Sequence, residues 1–472
     1  MSTHIWHSLK QSTTDIRLLW FSVFIRMISF GLTNQVLTLY LRELNISEVN
    51  IGLFMSLTMV GDSVISYALT WNANKLGNRF IMLLGSFLMI VAGFIFSTGT
   101  GNFHYLLFAA IVGVISPSGN EAGPFKTIEE TVLANLTPPN HRPEIYAIHW
   151  ILGSVGASLG SVLAGLIVQT LILNHGFSTK DAYRCTFYVI VFTSVLKFAS
   201  LLFISEKAEP SYIPPYKLTL ENQLDNEDNE ESNRTIDSQA STSTMTSANG
   251  ERQPLLRIQS TVEHPTITGL SPQTQSILFK LMVPFMLDSF GYGFMTNAWV
   301  VYYFKKRYQI SAVILGVLFG FSGIAMSISA IPSAWFAKRF GPIKSSVLTQ
   351  IPCGLFFMAI PLLGYNFNVA AVFYLLNQVT TAFDVVPRQI ILTSLIPPVE
   401  LSKVMGSVNI GKQIARSISP CFTGFFARDG LLWLCFQLTG TFLIMANLFL
   451  AVEFSCLDEK VRKLEQVNHD IV

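Results

Sequence analysis

TWNANKLGNRF (residues 70–80) and SAWFAKRFGPIKS (residues 333–345) are two basic, glycine-containing stretches, and each one separates two long apolar runs. An offset of 264 residues aligns the two stretches and places Gly77 on Gly341. Several matches in one ungapped frame predict that the chain contains the same structural unit twice. The other matched positions are Ile46-Ser47 with Ile310-Ser311, Gly52 with Gly316, Trp71 with Trp335, and Lys75 with Arg339.

The composition excludes a soluble domain. Of the 472 residues, 50% are hydrophobic and 13% are charged, and the mean hydropathy is +0.46. Soluble domains usually carry about 25% charged residues. A net charge of +2 offers no basic surface for nucleic acid. The five cysteines are scattered and form no CxxC pair, so we expect neither a metal site nor a cofactor.

The apolar runs are long enough to cross a bilayer, which takes about 20 residues in a helix. They predict an all-α integral membrane protein with twelve transmembrane helices in two six-helix bundles. The predicted spans are 17–40, 51–71, 79–98, 104–135, 144–172, 183–205, 275–304, 311–335, 344–364, 369–395, 403–427 and 430–454. Most Lys and Arg residues outside the spans then fall on the side of both termini, which places the tails 1–16 and 455–472 in the cytoplasm.

The bundles 17–205 and 275–454 are separated by residues 206–274, which are acidic, rich in Ser and Thr, and predicted to be disordered. Within this segment, ERQPLL (251–256) resembles an acidic dileucine sorting signal. The resemblance implies that Glu251, Leu255 and Leu256 bind a sorting adaptor and direct the protein to a vacuolar or lysosomal membrane. The plasma membrane is the alternative location.

The two basic loops carry a family resemblance. Lys75, Gly77 and Arg79 fit the motif Gly-x-x-x-Asp-Arg-x-Gly of the major facilitator superfamily, and Arg339 and Gly341 repeat it in the second half. Thr70 and Asn74 stand where the motif has glycine and aspartate. The resemblance implies that helices one, four, seven and ten line a central cavity and that these loops act as gates. Three further stretches, Gly61-Asp62, NEAGPFKTIEE (120–130) and FDVVPRQ (383–389), resemble a poorly characterised group of carriers within the superfamily.

Asn120 and Glu121 follow the apolar run HYLLFAAIVGVI and lie deep in predicted helix four. Ionisable residues inside a membrane mark functional sites by default, so Glu121 is the first candidate for binding and releasing a proton. Arg26 in helix one is either its partner or a side chain that extends toward the cytoplasmic face. Glu129 and Glu130, at the end of the same helix, are expected at the membrane interface, where Lys126 and Arg142 are their candidate partners.

The remaining charged residues inside the membrane are candidates either for ion pairs between helices or for proton coupling. Asp62 either pairs with a neighbouring helix or contacts the solute. Asp384 and Arg388 are four residues apart and are expected to pair, with a kink at Pro387. Asp288 has no cation nearby in its own helix and is the second proton-coupling candidate. An excess of interior carboxylates over arginines favours a neutral or cationic solute.

Two further patterns concern packing and catalysis. Gly153, Gly156 and Gly160 are small residues that allow close helix packing. They include GASLG (156–160), which matches a hydrolase motif, but that motif requires a strand-to-helix turn, and this copy lies inside a predicted helix. The chain is therefore predicted not to be an enzyme.

Together these patterns predict a monomeric, proton-coupled secondary transporter whose partners are a small solute, the proton and membrane lipid. The alternative is a nutrient receptor that has the fold of a carrier but does not transport.

Overall fold

The computed structural model describes residues 12–113, 124–137, 141–209, 212 and 270–454, and the regular structure in these ranges is helical. The first half contains α1 (Thr14–Glu43), α2 (Glu48–Trp71), α3 (Ala73–Leu76), α4 (Asn78–Ser97), α5 (Phe103–Val112), α6 (Pro124–Leu136), α7 (Arg142–His175) and α8 (Thr179–Leu202), followed by a 3₁₀ turn at Glu206–Ala208. The second half contains α9 (Pro272–Phe294), α10 (Asn297–Tyr308), α11 (Ala312–Phe340), α12 (Pro342–Leu363), α13 (Phe367–Ala382), α14 (Val385–Leu395), α15 (Pro398–Arg428) and α16 (Leu432–Glu453). The predicted sorting signal and most of the predicted disordered segment lie outside the described residues.

These sixteen helices correspond to the twelve predicted spans. Ten segments of the described chain are long and apolar enough to cross a membrane, and two of them join neighbouring helices, α9 with α10 and α13 with α14. Helices α5 and α6 flank residues 114–123 and together form the fourth span. The eleventh is α15, which is long enough but carries Lys412 and Arg416 near its centre.

The break between α13 and α14 has a local cause. Pro387 lacks an N–H group, and its ring clashes with the carbonyl four residues earlier in a regular helix. The helix accordingly ends at Ala382 and restarts at Val385. The predicted kink is therefore present, but it lies at Phe383–Asp384, upstream of the proline, and it leaves Asp384 at the start of α14.

The internal repeat is visible in the backbone. Gly77 has φ 85° and ψ 142°, and Gly341 has φ 89° and ψ 158°. Each precedes the helix that follows a basic loop, in a conformation that favours glycine. The offset of 264 residues also relates Asn102 to Asn366, whose side chains accept backbone N–H groups at the starts of α5 and α13. The two halves therefore share their turns as well as their helices.

The halves meet through two pairs of glycines. A Cβ built on Gly52 in α2 would lie 2.8 Å from Cα of Gly424 in α15. On the other side, a Cβ on Gly316 in α11 would lie 3.3 Å from Cα of Gly165 in α7. Because Gly52 and Gly316 are equivalent in the repeat, the two contacts are related by its pseudosymmetry.

The two ends of the molecule differ in how they are closed. We call the end that contains residues 72–77 and 205–208, predicted to be cytoplasmic, the inner end, and the opposite end the outer end. One continuous hydrophobic core joins both halves toward the outer end and includes Tyr40, Phe54, Trp299 and Phe304. Toward the inner end each half has a separate core, one around Leu19 and Val132 and one around Leu281 and Ile391. Among the described residues, the buried hydrophobic side chains therefore join the two halves toward the outer end and form separate clusters toward the inner end.

Candidate functional site

The first half contains a buried charge cluster centred on Glu129 of α6. Glu129 is fully buried, and its Oε2 lies 2.6 Å from Nη2 of Arg26 in α1. Its Oε1 lies 3.3 Å from Nζ of Lys197 in α8 and accepts a hydrogen bond from the Ser22 hydroxyl. One carboxylate thus joins three helices, and its charge compensates two cations that would otherwise be costly to bury.

This cluster corrects one expectation. Glu129 does not lie at the membrane interface, because α6 turns it toward α1 and α8 inside the bundle. Glu129 is also an ion partner of Arg26, whereas Asn120 and Glu121 lie outside the described residues. Sequence reasoning missed the role of Lys197, although its position inside a predicted span was a usable signal, since such a lysine requires an anion.

The second half contains a cluster in which one arginine is shared by two carboxylates. Nη1 of Arg388 in α14 lies 2.7 Å from Oδ2 of Asp288 in α9. Nε of Arg388 also pairs with Oδ2 of Asp384, one helical turn earlier. The pair predicted from the four-residue spacing is present. Asp288, which has no cation nearby in its own helix, is joined to the same arginine from another helix.

The carboxylates of this cluster differ in their remaining contacts. Oδ1 of Asp384 accepts a hydrogen bond of 2.5 Å from Ser346 in α12. Oδ1 of Asp288 is buried and has no hydrogen-bond donor in the described part of the chain. Asp384 is thus saturated by its neighbours, while Asp288 keeps one oxygen available.

Helix α15 adds two cations beside this cluster. Lys412 and Arg416 lie one turn apart, and Nζ of Lys412 is 6.0 Å from the ring centre of Phe285 in α9. Arg388 lies 5.4 Å from the same ring. The sequence analysis overlooked Lys412 and Arg416 because they fall inside an apolar span. Within this cluster the cations Arg388, Lys412 and Arg416 outnumber Asp288 and Asp384, so the predicted excess of interior acid is not found in the described part of the second half.

Asp62 in α2 is fully buried, and within the described residues neither of its carboxylate oxygens has a hydrogen bond of normal geometry. The hydroxyl of Ser66, one turn later, is its nearby polar neighbour. Asp62 therefore has no described partner on another helix, and its contact with a solute stays a prediction.

The predicted gating loops lie at the inner end. Lys75 and Arg339 are exposed, and Arg79 is half-buried. The carboxylate of Glu209, just after α8, accepts the backbone N–H of Asn78 at 2.9 Å and lies against Gly77. An acidic side chain thus neutralises the start of α4 although the motif aspartate is replaced by asparagine.

The glycines of α7 face α1. A Cβ on Gly156 would lie 2.5 Å from the carbonyl oxygen of Phe24, and one on Gly160 would lie 2.1 Å from that of Ile28. Gly153 is less constrained, with side-chain atoms of Met27 at 3.6 Å as the nearest contact. Backbone approach between α1 and α7 thus depends on Gly156 and Gly160.

At the outer end, Glu48 of α2 connects the halves. It accepts hydrogen bonds from Arg42 at 3.1 Å and from the Tyr302 hydroxyl at 3.0 Å, and it lies 3.8 Å from Nζ of Lys306. Tyr302 and Lys306 belong to α10 of the second half. The carboxylate of Glu48 in the first half thus partly neutralises Lys306 of the second half on the predicted outer face.

Comparison with known proteins agrees with this architecture. The family model of the Major Facilitator Superfamily matches residues 19–420 and 281–466. The chain belongs to this superfamily, and it is an all-α membrane protein whose twelve spans form two six-helix bundles. Membership indicates a transporter rather than an enzyme.

Individual relatives show how far the similarity extends. The chain is 42% identical over 466 residues to Uncharacterized membrane protein YJR124C of Saccharomyces cerevisiae, covering 98% of this chain and 99% of the relative. The crystal structure of peptide transporter POT in complex with sulfate aligns with a TM-score of 0.67 at 14% identity, over 95% of this chain and 96% of that one. The crystal structure of a D-xylose-proton symporter aligns with a TM-score of 0.64 at 15% identity, over 92% and 95%. The structural similarities establish the fold.

Proposed function

We propose that the protein is a secondary active transporter that moves a small solute by alternating access and couples that movement to protons. The observation that supports proton coupling most directly is the sharing of Arg388 between Asp288 and Asp384, with Oδ1 of Asp288 left without a donor. Membership of a transporter superfamily supports the general class.

The shared arginine provides a way to couple a proton to movement. When Asp288 is ionised, Arg388 joins α9 to α14. A proton on Asp288 removes that charge and leaves Arg388 paired with Asp384 on its own helix. Protonation therefore weakens the electrostatic link between α9 and α14. Glu121, outside the described residues, remains the other candidate for the proton.

Alternating access is supported by the asymmetry of the two ends. The shared outer core and the separate inner cores of the described residues support a conformation that is open inward. The pseudosymmetry of the glycine contacts supports a second, outward-open conformation. In that conformation each half adopts the arrangement that the other half has in the inward-open one.

The test uses purified protein in liposomes that contain a pH-sensitive dye. A metabolite extract of the cells that express the protein is added outside, and the internal pH is followed. We expect a pH change with the wild type, none with Asp288→Asn, and the wild-type change with Asp429→Asn, which alters an exposed aspartate at the outer end. A wild-type response from Asp288→Asn would contradict the role of Asp288.

We also propose a vacuolar or lysosomal location, supported by the resemblance of Glu251, Leu255 and Leu256 to a dileucine signal. Changing both leucines to alanine should move a fluorescently tagged protein to the plasma membrane. An unchanged location would contradict the proposal.

A further inference from the structure

Helix α15 has two different accessible faces. One is apolar and exposed, and it consists of Ile410, Ile414 and Ile418. The other contains Asn409, Lys412, Gln413 and Arg416, which recur at the three- and four-residue spacing of one helical stripe. An apolar exposed stripe suits lipid, so the polar stripe on the other side of the helix suits a water-filled cavity within the bundle.

Lys412 is a cation that has no ionic partner among the described residues. It lies near the centre of the 31-residue helix α15, at mid-membrane depth, and it is half-buried. Within the described chain it makes no ion pair, and its ammonium group lies over the ring face of Phe285. A lysine at that depth is costly unless it faces water or an anion.

Gln413 provides a second, independent observation. Its Nε2 is buried and has no hydrogen-bond acceptor in the described part of the chain. Buried amide groups are nearly always hydrogen-bonded, so this one needs an acceptor that the described part of the chain does not supply. Two neighbouring side chains of the stripe thus offer donors that lack acceptors.

We propose that the polar stripe of α15 binds a carboxylate or another oxyanion group of the transported solute, which is therefore an organic anion. This inference rests on the proposed transport function and names its substrate class. Lys412 supplies the charge, and the Gln413 amide donates a directional hydrogen bond.

The surrounding charges favour an anion over other solutes. Asp288 and Asp384 both pair with Arg388, and neither forms an ion pair with Lys412 in the described part of the chain. A cationic solute would meet Lys412 and Arg416 directly and would be repelled.

The experiment measures which solutes accumulate in liposomes that contain the purified protein under an imposed pH gradient. The probe is a metabolite extract of the cells that express the protein, and the contents are identified by mass spectrometry. The variants are Lys412→Met, Lys412→Arg and Gln413→Leu. Lys403→Met is the matched control, because it makes the same change at an exposed position of the same helix.

We expect carboxylates or other oxyanions to accumulate with the wild type and with Lys403→Met. Loss of one charge-assisted contact should lower accumulation about 10- to 100-fold in Lys412→Met. Lys412→Arg should retain more than Lys412→Met, and Gln413→Leu should lower accumulation without removing the charge. Elution volume and melting temperature identify any variant that is misfolded, and Gln413→Leu then tests the stripe alone.

Two results would overturn the inference while transport stands: the solutes that accumulate are neutral or cationic, or anions accumulate equally with Lys412→Met. If the wild type accumulates no solute, the proposed transport function fails and the inference fails with it.

Discussion

Oε2 of Glu129 lies 2.6 Å from Nη2 of Arg26, and this ion pair joins α6 to α1 in the interior of the first half. Lys197 of α8 approaches the other oxygen of the same carboxylate at 3.3 Å. Two cations from different helices therefore contact one buried anion. This arrangement makes Glu129 a structural residue of the first bundle.

Glu129→Gln should destabilise the protein strongly. The substitution keeps the side-chain volume but removes the carboxylate charge that contacts both buried cations, Arg26 and Lys197, and breaking a buried pair in this way costs about 3–5 kcal/mol. The melting temperature of the purified protein in detergent measures the effect. Glu130→Gln is the control, because the neighbouring side chain is half-buried. Equal melting temperatures for the two variants would contradict the structural role.

Gly52→Ala should open the outer end. A Cβ at this position would lie 2.4 Å from the carbonyl oxygen of Pro420, so α2 and α15 must separate. A cysteine placed at Thr296, which is buried close to this interface, should react several-fold faster with a membrane-impermeant maleimide added outside.

Gly153→Ala is the control for this experiment. Its Cβ would meet side-chain atoms at an ordinary 3.6 Å, so the reaction rate should not change. If Gly52→Ala also leaves the rate unchanged, the glycine contact does not hold the outer end closed.

The ion pair between Glu48 and Lys306 should contribute modestly to closure. Each exposed ion pair contributes about 0–1 kcal/mol, and Lys306 is half-exposed. Glu48→Lys should raise the maleimide reaction rate at Thr296→Cys several-fold. The double variant Glu48→Lys with Lys306→Glu should restore part of the original rate. A double variant no better than the single one would show that the two charges are not coupled.

Acid should loosen the start of α9. Hydrogen bonds from Thr274 and from Ser271 lower the pKa of the Glu400 carboxyl at the inner end. A carboxyl group whose folded pKa is depressed stabilises the structure above its unfolded pKa, about 4.3. The contribution is lost as the pH falls through the folded pKa.

Hydrogen exchange of residues 270–276 measures this effect. Exchange relative to the rest of α9 should increase between neutral pH and pH values below the unfolded pKa. Glu400→Gln should raise exchange already at neutral pH and remove the dependence. If Glu400→Gln keeps the same pH dependence of exchange, a different titratable group causes that dependence.

The repeat and the twelve spans could be predicted because they depend on properties that the sequence displays directly. Hydropathy shows where a helix crosses the membrane, and matched glycines such as Gly77 and Gly341 mark turns of equal geometry. The pairing of Asp384 with Arg388 was equally accessible, since four residues are one helical turn.

The side of each helix on which a charged residue lies, and hence its partner, could not be predicted in the same way. Whether Glu129 meets lipid headgroups or Arg26 depends on how α6 is rotated after the interruption of the fourth span. Asp288 meets Arg388 across 100 positions of sequence, and local spacing contains no information on such a contact. Lys412 was overlooked because hydropathy averages over a span and does not register a single polar stripe.

The most direct test of alternating access is a pair of distance measurements by spin labelling in liposomes. One pair of labels is placed at Trp71 and Trp335 at the inner end, and the other at Gly101 and Tyr365 at the outer end. Each pair joins equivalent exposed positions of the two halves. We predict two populations for each pair, and addition of the metabolite extract under a pH gradient should change the inner and outer distances in opposite directions. A single unchanging distance in both pairs, or changes in the same direction, would contradict alternating access.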